Sequence, residues 1–492
     1  MKKLVTSTAI VGSSSAFGVL AAIVRTKLLA VFVGVAGVGL LAQIGSFLNV
    51  LTSLASLGIG VGIVKYVAEF SSTSDYAALG KVRWNAALLT WVASAVVAGL
   101  ACGFSRELAN LLFGAPELRW AVAVTALAVP LFVQMSFHMA IIQGLKQMRE
   151  YALASAIASG AGLIVLIPLV YFFRWNGAVL QSLAAAAISY FVVYSFSRKL
   201  WRPFSDRARA KVDRRLLREL IAYGLSALVT GVLYWANLLV IRSVIVHRLG
   251  ANANGLYQVA IGISLQYVSL IVSSVWTYSF PRISELRETG LIVKELRGSV
   301  RLSVLLVTGC ASTFLIMRHW LIPLLFTKDF LQAENLLAVQ FISDLLKTTA
   351  VMIGVWLLPQ GRLKMWVGLD VILNGVLLGS FLLFLARLDH LGILALLAAP
   401  MAHIVAYLLH CILNYTYARK SIGFSFGQPL RRLLTRSFAL IVICGVIPSR
   451  NLPFSLAGIV LIAIWASFSV TSGEARAVLA ILKEKLPRRH KQ

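Results

Sequence analysis

Apolar runs of about 20 residues follow one another along almost the whole of this chain, and nothing else limits its fold as tightly. A helix of that length matches the hydrocarbon thickness of a bilayer. Inside lipid the chain must satisfy every backbone N–H and C=O by itself, which leaves helices or a closed barrel. The runs are continuous and do not alternate with period two, which selects helices. They lie near residues 8–33, 40–64, 83–103, 120–142, 152–173, 177–197, 219–246, 253–280, 299–317, 335–358, 364–386, 391–417, 434–448 and 454–472. The expected fold is an all-α integral membrane protein of about 14 transmembrane helices. The composition agrees: of 492 residues, 59% are hydrophobic and 13% charged.

The formal net charge is +28, which by itself would suit a nucleic-acid partner. Its distribution excludes one. With the N-terminus placed inside, 34 Lys and Arg fall in the loops of one side and 8 in those of the other. The remaining four, Arg25, Lys27, Arg242 and Lys347, fall within apolar runs. This is the positive-inside pattern, and it places both termini in the cytoplasm. Cys102, Cys310, Cys411 and Cys444 lie in or beside the runs without CxxC spacing, so they read as free thiols packed as small apolar residues. No metal site is expected. The first run is long and carries cations, so it reads as a retained helix and not as a cleaved signal.

Four regions follow from this spacing: a six-helix lobe over 1–197, a basic cytoplasmic linker over 198–218, a second six-helix lobe over 219–420, and two additional helices with a basic tail over 421–492. The linker reads as a solvated segment, helical along anionic headgroups. A faint repeat crosses it. A shift of 216 residues pairs Gly34 with Gly250, Gly39 with Gly255, Leu40 with Leu256 and Glu69 with Glu285. The same shift sets Arg242 opposite Thr26, between Arg25 and Lys27. An even number of helices per half gives a parallel repeat about an axis along the membrane normal, and such repeats enclose a central cavity in many transporters.

A cation in a membrane helix costs about 2.5–3.5 kcal/mol on insertion scales, so such residues face a partner, a cavity or a substrate. Arg25 and Lys27 are two positions apart, about 200° around a helix, and cannot both face one cavity. Arg242 is read either as a cavity wall or as a side chain snorkelling from near a helix end. Gln340, Asp344 and Lys347 share a face by their spacing of four and three. Asp344 and Lys347 are candidates for a structural pair or for ion coupling and gating, and Asp370, with Asn374 one turn on, is a weaker candidate. Gln134 and His138, again i, i+4, are weak candidates for contact with sugar hydroxyls, and a packed structural histidine is the competing reading. Gly58, Gly60 and Gly62 in LGIGVG lie inside an apolar run and read as a packing or bending site. The GxxxxGK[ST] loop that cradles nucleotide phosphates is missing. No cofactor is expected, and no catalytic residue is assigned.

Several stretches carry a resemblance. TKLLAVFVGVAGVGLLAQ (26–43) followed by VKYVAEF (64–70) resembles the start of Wzx-type O-antigen flippases, in particular the lipid III flippase group. FPRISEL (280–286), the stretch around LLFTKDF (324–330) and FISDLLK (341–347) are similar to that family in order and spacing. The resemblance covers roughly 5–420 and places the chain in the multidrug/oligosaccharidyl-lipid/polysaccharide exporter superfamily. Lys27, Arg242, Asp344 and Lys347 match the family pattern. Arg25, Val35 and the region beyond about 430 depart from it. The resemblance implies translocation of an undecaprenyl-pyrophosphate-linked oligosaccharide across the bacterial inner membrane by alternating access, with no enzymatic step. Lys27 and Arg242, with Arg25 as a third candidate, would then bind the pyrophosphate. The implied partners are the lipid-linked glycan, membrane lipids and, as a candidate, a polysaccharide polymerase. A monomer suffices, since one chain holds both halves.

Competing classes are weighed on the same residues. A lipid II exporter of the same superfamily remains open, whereas a drug antiporter selecting cations needs acidic residues in its first helices, where this chain has basic ones. A glycan polymerase needs a substantial outer loop, and the longest here, around 104–119 and 318–334, are near ordinary connection length. A scaffold has no need of cations within several helices.

Overall fold

The computed structural model describes residues 2–201, 212–450 and 452–470, the first fifteen of them by backbone alone. Much of the basic linker and the tail beyond 470 lie outside the described residues. Thirteen α-helices follow in order: α1 (Lys2–Ser56), α2 (Gly60–Ser72), α3 (Tyr76–Gly103), α4 (Ser105–Phe113), α5 (Arg119–Gly144), α6 (Met148–Trp201), α7 (Arg214–Glu285), α8 (Thr289–Leu325), α9 (Glu334–Gly354), α10 (Leu363–Leu388), α11 (Ala398–Ile422), α12 (Gly427–Val446) and α13 (Leu452–Ser469). Among the described residues there is no strand.

Three of these helices are too long for one crossing, at 55, 54 and 72 residues. Each is broken near its middle: α1 at Gly34, α6 at Arg174 and α7 at Gly250. Divided there, with α2 continuing α1 and the nine-residue α4 set aside, the described residues hold fourteen helical segments, as expected. The thirteenth run begins earlier than its apolar stretch, at Gly427, because Arg431, Arg432 and Arg436 are exposed and leave the helix uninterrupted. All four cysteines are free.

The repeat offset seen in the sequence recurs in the backbone. Gly34 has φ 68°, ψ −170° and Gly250 has φ 88°, ψ 169°. That region is open to glycine and almost nothing else, so both turns depend on their glycines. Arg174 (φ 49°, ψ −121°) and Gly392 (φ 58°, ψ −122°) are a second pair of breaks of like conformation, two residues off that shift. Gly39 and Gly255 then make a reciprocal crossing. A Cβ added to Gly39 would lie 2.5 Å from the Ala251 carbonyl oxygen, and one added to Gly255 would lie 2.1 Å from that of Val35. Val35 and Ala251 are themselves partners under the same shift, so the two approaches are symmetric. Close backbone contact through small residues is how helices associate in lipid. LGIGVG serves as the expected packing and bending site, since Gly58 (φ 66°) meets the backbone of Gly224.

The chain divides into two compact units. The first comprises Met1–Val259, Pro323–Gln332 and Asp370–Ala399, and the second Ala260–Ile322, Ala333–Leu369 and Pro400–Gln492. One core of the first unit packs Phe47, Leu51, Leu112, Phe113 and Val122 together, and another packs Ile59, Ile63, Leu79, Phe137 and Trp201. In the second, Val300, Val304, Val307, Ala311 and Leu315 form one buried stripe along α8. Large apolar side chains such as Ile164, Phe172 and Val446 stand exposed, as suits a surface solvated by lipid.

Candidate functional site

Arg25 and Lys27 part as their spacing requires. Arg25 lies in the first half of α1, and its Nη2 donates to Oε1 of Gln181 in the second half of α6, at 2.9 Å. Lys27 turns the other way, and its Nζ donates to the main-chain carbonyls of Pro323, at 2.6 Å, and Phe326. Those carbonyls belong to the same unit and sit where a helix ends. The last carbonyls of a helix lack internal partners and carry its negative dipole end, so an ammonium group is well placed there.

Arg242 is enclosed, with 2% of its surface exposed. Nη1 donates to Oδ1 of Asn254 at 3.1 Å, Nη2 donates to Oε1 of Gln258, and the guanidinium lies 5.3 Å from the centre of the Tyr257 ring. All three partners lie beyond the break at Gly250, so the turn folds them back onto the arginine. Asn254 in turn donates Nδ2 to the Gly39 carbonyl at 2.7 Å, which ties the arginine to the glycine crossing. Nε of Arg242 has no hydrogen-bond partner. Ion pairs among the described residues include those of Arg215 with Glu219, Arg248 with Asp389, and Arg318 and His319 with Glu334, and none involves Arg25, Lys27 or Arg242. Arg25, Lys27 and Arg242 therefore have neutral partners only.

The second unit buries a carboxylate. Asp344 in α9 is fully enclosed. Its Oδ1 accepts from Ser264 Oγ at 2.6 Å and from Gln340 Nε2 at 3.2 Å, and its Oδ2 accepts from Tyr267 OH at 2.7 Å. Three side chains thus converge on its two oxygens, and both oxygens of the carboxyl group are engaged. Tyr267 packs edge-on against Phe341, with ring centres 5.4 Å apart. Lys347, one turn along, holds its ammonium 5.6 Å from the centre of the Tyr407 ring.

The weaker candidates fall elsewhere. Asp370 is half-buried in α10, and its main-chain carbonyl accepts from Asn374 Nδ2 at 2.8 Å. Asn374 also receives Asn237 Nδ2 on its carbonyl at 2.7 Å. Gln134 and His138 are buried within the first unit. Gln134 Nε2 donates to Thr90 Oγ1 at 3.0 Å, and His138 pairs with Ser197 Oγ at 3.0 Å beside the Tyr194 ring. In this conformation both serve helix packing and neither is open to a sugar.

Sequence reasoning missed Gln181, Asn254, Gln258, Ser264 and Tyr267. Each is a polar or amphipathic residue in an apolar run, and that was the available signal. What it lacked was the partner, which lies between 12 and 156 residues away for these contacts.

A family described as polysaccharide biosynthesis protein matches residues 4–287. The lipid III flippases of Escherichia coli (strain K12) and Shigella flexneri are each 26% identical over 349 residues, covering 70% of this chain and 82% of theirs. Among solved structures, an inward-facing multidrug resistance MATE family transporter has TM-score 0.70 at 14% identity, covering 84% of this chain and 98% of that one. The lipid II flippase MurJ, inward closed, has TM-score 0.67 at 14% identity, covering 94% and 98%. These two share the fold. The chain belongs to the polysaccharide biosynthesis protein family and has the fold of the multidrug/oligosaccharidyl-lipid/polysaccharide exporter superfamily.

Proposed function

We propose that the chain is a flippase that carries an undecaprenyl-pyrophosphate-linked oligosaccharide, an O-antigen or related repeat unit, from the cytoplasmic to the periplasmic leaflet of the bacterial inner membrane. One observation carries the reading: the three cations of the first unit that lie within apolar helices are held by neutral oxygens and by no carboxylate. Fixed positive charge in a low-dielectric setting attracts an anion strongly. A pyrophosphate has little other means of leaving water, since burying an unpaired charge is prohibitively costly. The family membership and the lipid III flippase relatives support the same substrate class.

Lys27 and Arg242 are the cations assigned to the pyrophosphate. Arg242 is enclosed here, so contact belongs to another state of the transport cycle, reached when lobes 1–197 and 219–420 rearrange by alternating access with both termini in the cytoplasm. The carbonyls and amides that hold the two cations keep them oriented without neutralising them, which leaves the charge for the substrate. Asp344 and Lys347, with Asp370 as a weaker member, are the groups assigned to ion coupling or gating. A monomer suffices, and a polysaccharide polymerase is a fitting partner for the product.

Mass spectrometry of lipid retained through mild-detergent purification tests the substrate class. The expected ligand is a polyprenyl pyrophosphate bearing an oligosaccharide. Retention of small cationic amphiphiles in its place would overturn the proposal and favour drug export.

A further inference from the structure

The geometry points to a pair of symmetry-related latches that hold one mouth of the first unit shut, one made by Lys27 and the other by Ser243. The connections around 104–119 and 318–334 are built alike. Each carries the tripeptide Leu-Leu-Phe, at 111–113 and at 324–326, an offset of 213 residues. Phe113 closes α4 and is followed by a 3₁₀ turn (Pro116–Leu118) and then α5. Leu325 closes α8 and is followed by a 3₁₀ turn (Lys328–Ala333) and then α9. The two connections are therefore repeat partners, three residues off the shift of 216 that relates the glycines.

Carbonyls at a helix end have no partner within the helix, and at both connections they take a side chain from the opposite half of the repeat. Ser243 Oγ, on α7, donates to the carbonyls of Leu111 at 2.8 Å and Leu112 at 3.3 Å. Lys27 Nζ, on α1, donates to those of Pro323 and Phe326. Lys27 and Ser243 are 216 residues apart, the shift that pairs Gly34 with Gly250. Each half thus reaches across and grips the Leu-Leu-Phe end of the other. The crossing of Gly39 and Gly255 joins the same two halves, and a Cβ added to Gly114, just past α4, would lie 3.4 Å from Nε2 of His247. These contacts break together if the halves part here, on the outer side in the orientation proposed above.

The latches are unequal. A charged donor makes hydrogen bonds roughly twice as strong as a neutral one, and the C-terminus of α8 adds the negative end of its dipole. Lys27 is the main catch and Ser243 the minor one. On the pyrophosphate assignment of Lys27 made above, which this step rests on, an arriving anion competes with two carbonyls for one ammonium group. Substrate then loosens the stronger latch, and the mouth opens when cargo is aboard.

Hydrogen–deuterium exchange of the full-length protein in lipid nanodiscs reads the latches through the amides of residues 104–118 and 322–333. Lys27→Met removes the charge and keeps the length of the side chain. It should speed exchange about tenfold at both connections, as loss of a charged hydrogen bond does. Ser243→Ala should speed it about threefold at both, and Lys27→Arg should keep near wild-type protection. The distant connection decides in each case, because a side chain that merely caps the helix end it touches would free that end alone. Loosening confined to the touched connection in both Lys27→Met and Ser243→Ala overturns the latches, as does unchanged exchange in both. Farnesyl pyrophosphate added to the wild-type protein should reproduce the Lys27→Met pattern. Loosening by Lys27→Met but not by farnesyl pyrophosphate keeps the latches and removes Lys27 from pyrophosphate binding, so the two readings fail separately.

Discussion

Arg242→Ala is expected to abolish export of the surface glycan in a strain that depends on this chain for it. Truncating one side of a buried charge contact costs about 2–5 kcal/mol, which is at least thirtyfold in the stability of the state that holds the pyrophosphate. Alanine also leaves Asn254 Oδ1 and Gln258 Oε1 without the donors they now accept from. Hydrogen bonds between membrane helices are worth about 0.6–2 kcal/mol each, so part of the loss would be structural. Arg242→Gln divides the two effects. It keeps an amide donor for the same acceptors and removes the charge. The Gln protein should reach the membrane at near wild-type level and still export no glycan, whereas Arg242→Lys should recover part of the activity. Immunoblots of membranes beside silver-stained glycan gels measure both quantities. Full export by Arg242→Gln would show that the arginine is only a clamp on the α7 turn, and would remove it from the substrate path.

How much of this was legible in the sequence varies with the kind of contact. The fourteen segments could be read because a bilayer accepts little besides continuous apolar helices. The repeat could be read from a handful of glycines because Gly34, Gly250, Gly39 and Gly255 occupy positions where a Cβ is strained or has no room. Their identity is fixed by backbone geometry, which survives when the surrounding apolar residues drift among equivalents. The divergence of Arg25 from Lys27 followed from 100° per residue alone. The acceptors of Lys27 were hidden for an equally physical reason: they are main-chain carbonyls some 296 and 299 residues away, and any residue type supplies one. The partners of Arg242 were closer, but they reach it only because the chain reverses at Gly250. A one-dimensional reading placed Arg242 near the end of a helix, as a candidate for snorkelling. The fold turns that end inward and covers it with Asn254, Tyr257 and Gln258.

Asp344 tests the other unit, and here substitution by Asn and by Ala should separate two roles. Alanine removes the acceptor for Ser264 Oγ, Tyr267 OH and Gln340 Nε2 together. At about 1 kcal/mol for each stranded donor, the Ala protein should lose about 3 kcal/mol and show a lower melting temperature in detergent. Asparagine keeps the shape and one oxygen acceptor, so its melting temperature should lie between those of the Ala protein and the wild type. The two proteins should nevertheless fail alike in transport if Asp344 serves coupling or gating, because neither has an ionisable carboxyl group at that position. Transport is followed by the same glycan gels, and by uptake into vesicles with and without an imposed pH gradient. If Asp344→Asn exports glycan at the wild-type rate and still responds to the gradient, the carboxylate is a structural hub and the coupling group lies elsewhere. Asp370 is then the next residue to replace, since it is a half-buried acid on a membrane helix whose carboxylate has no cationic partner among the described residues.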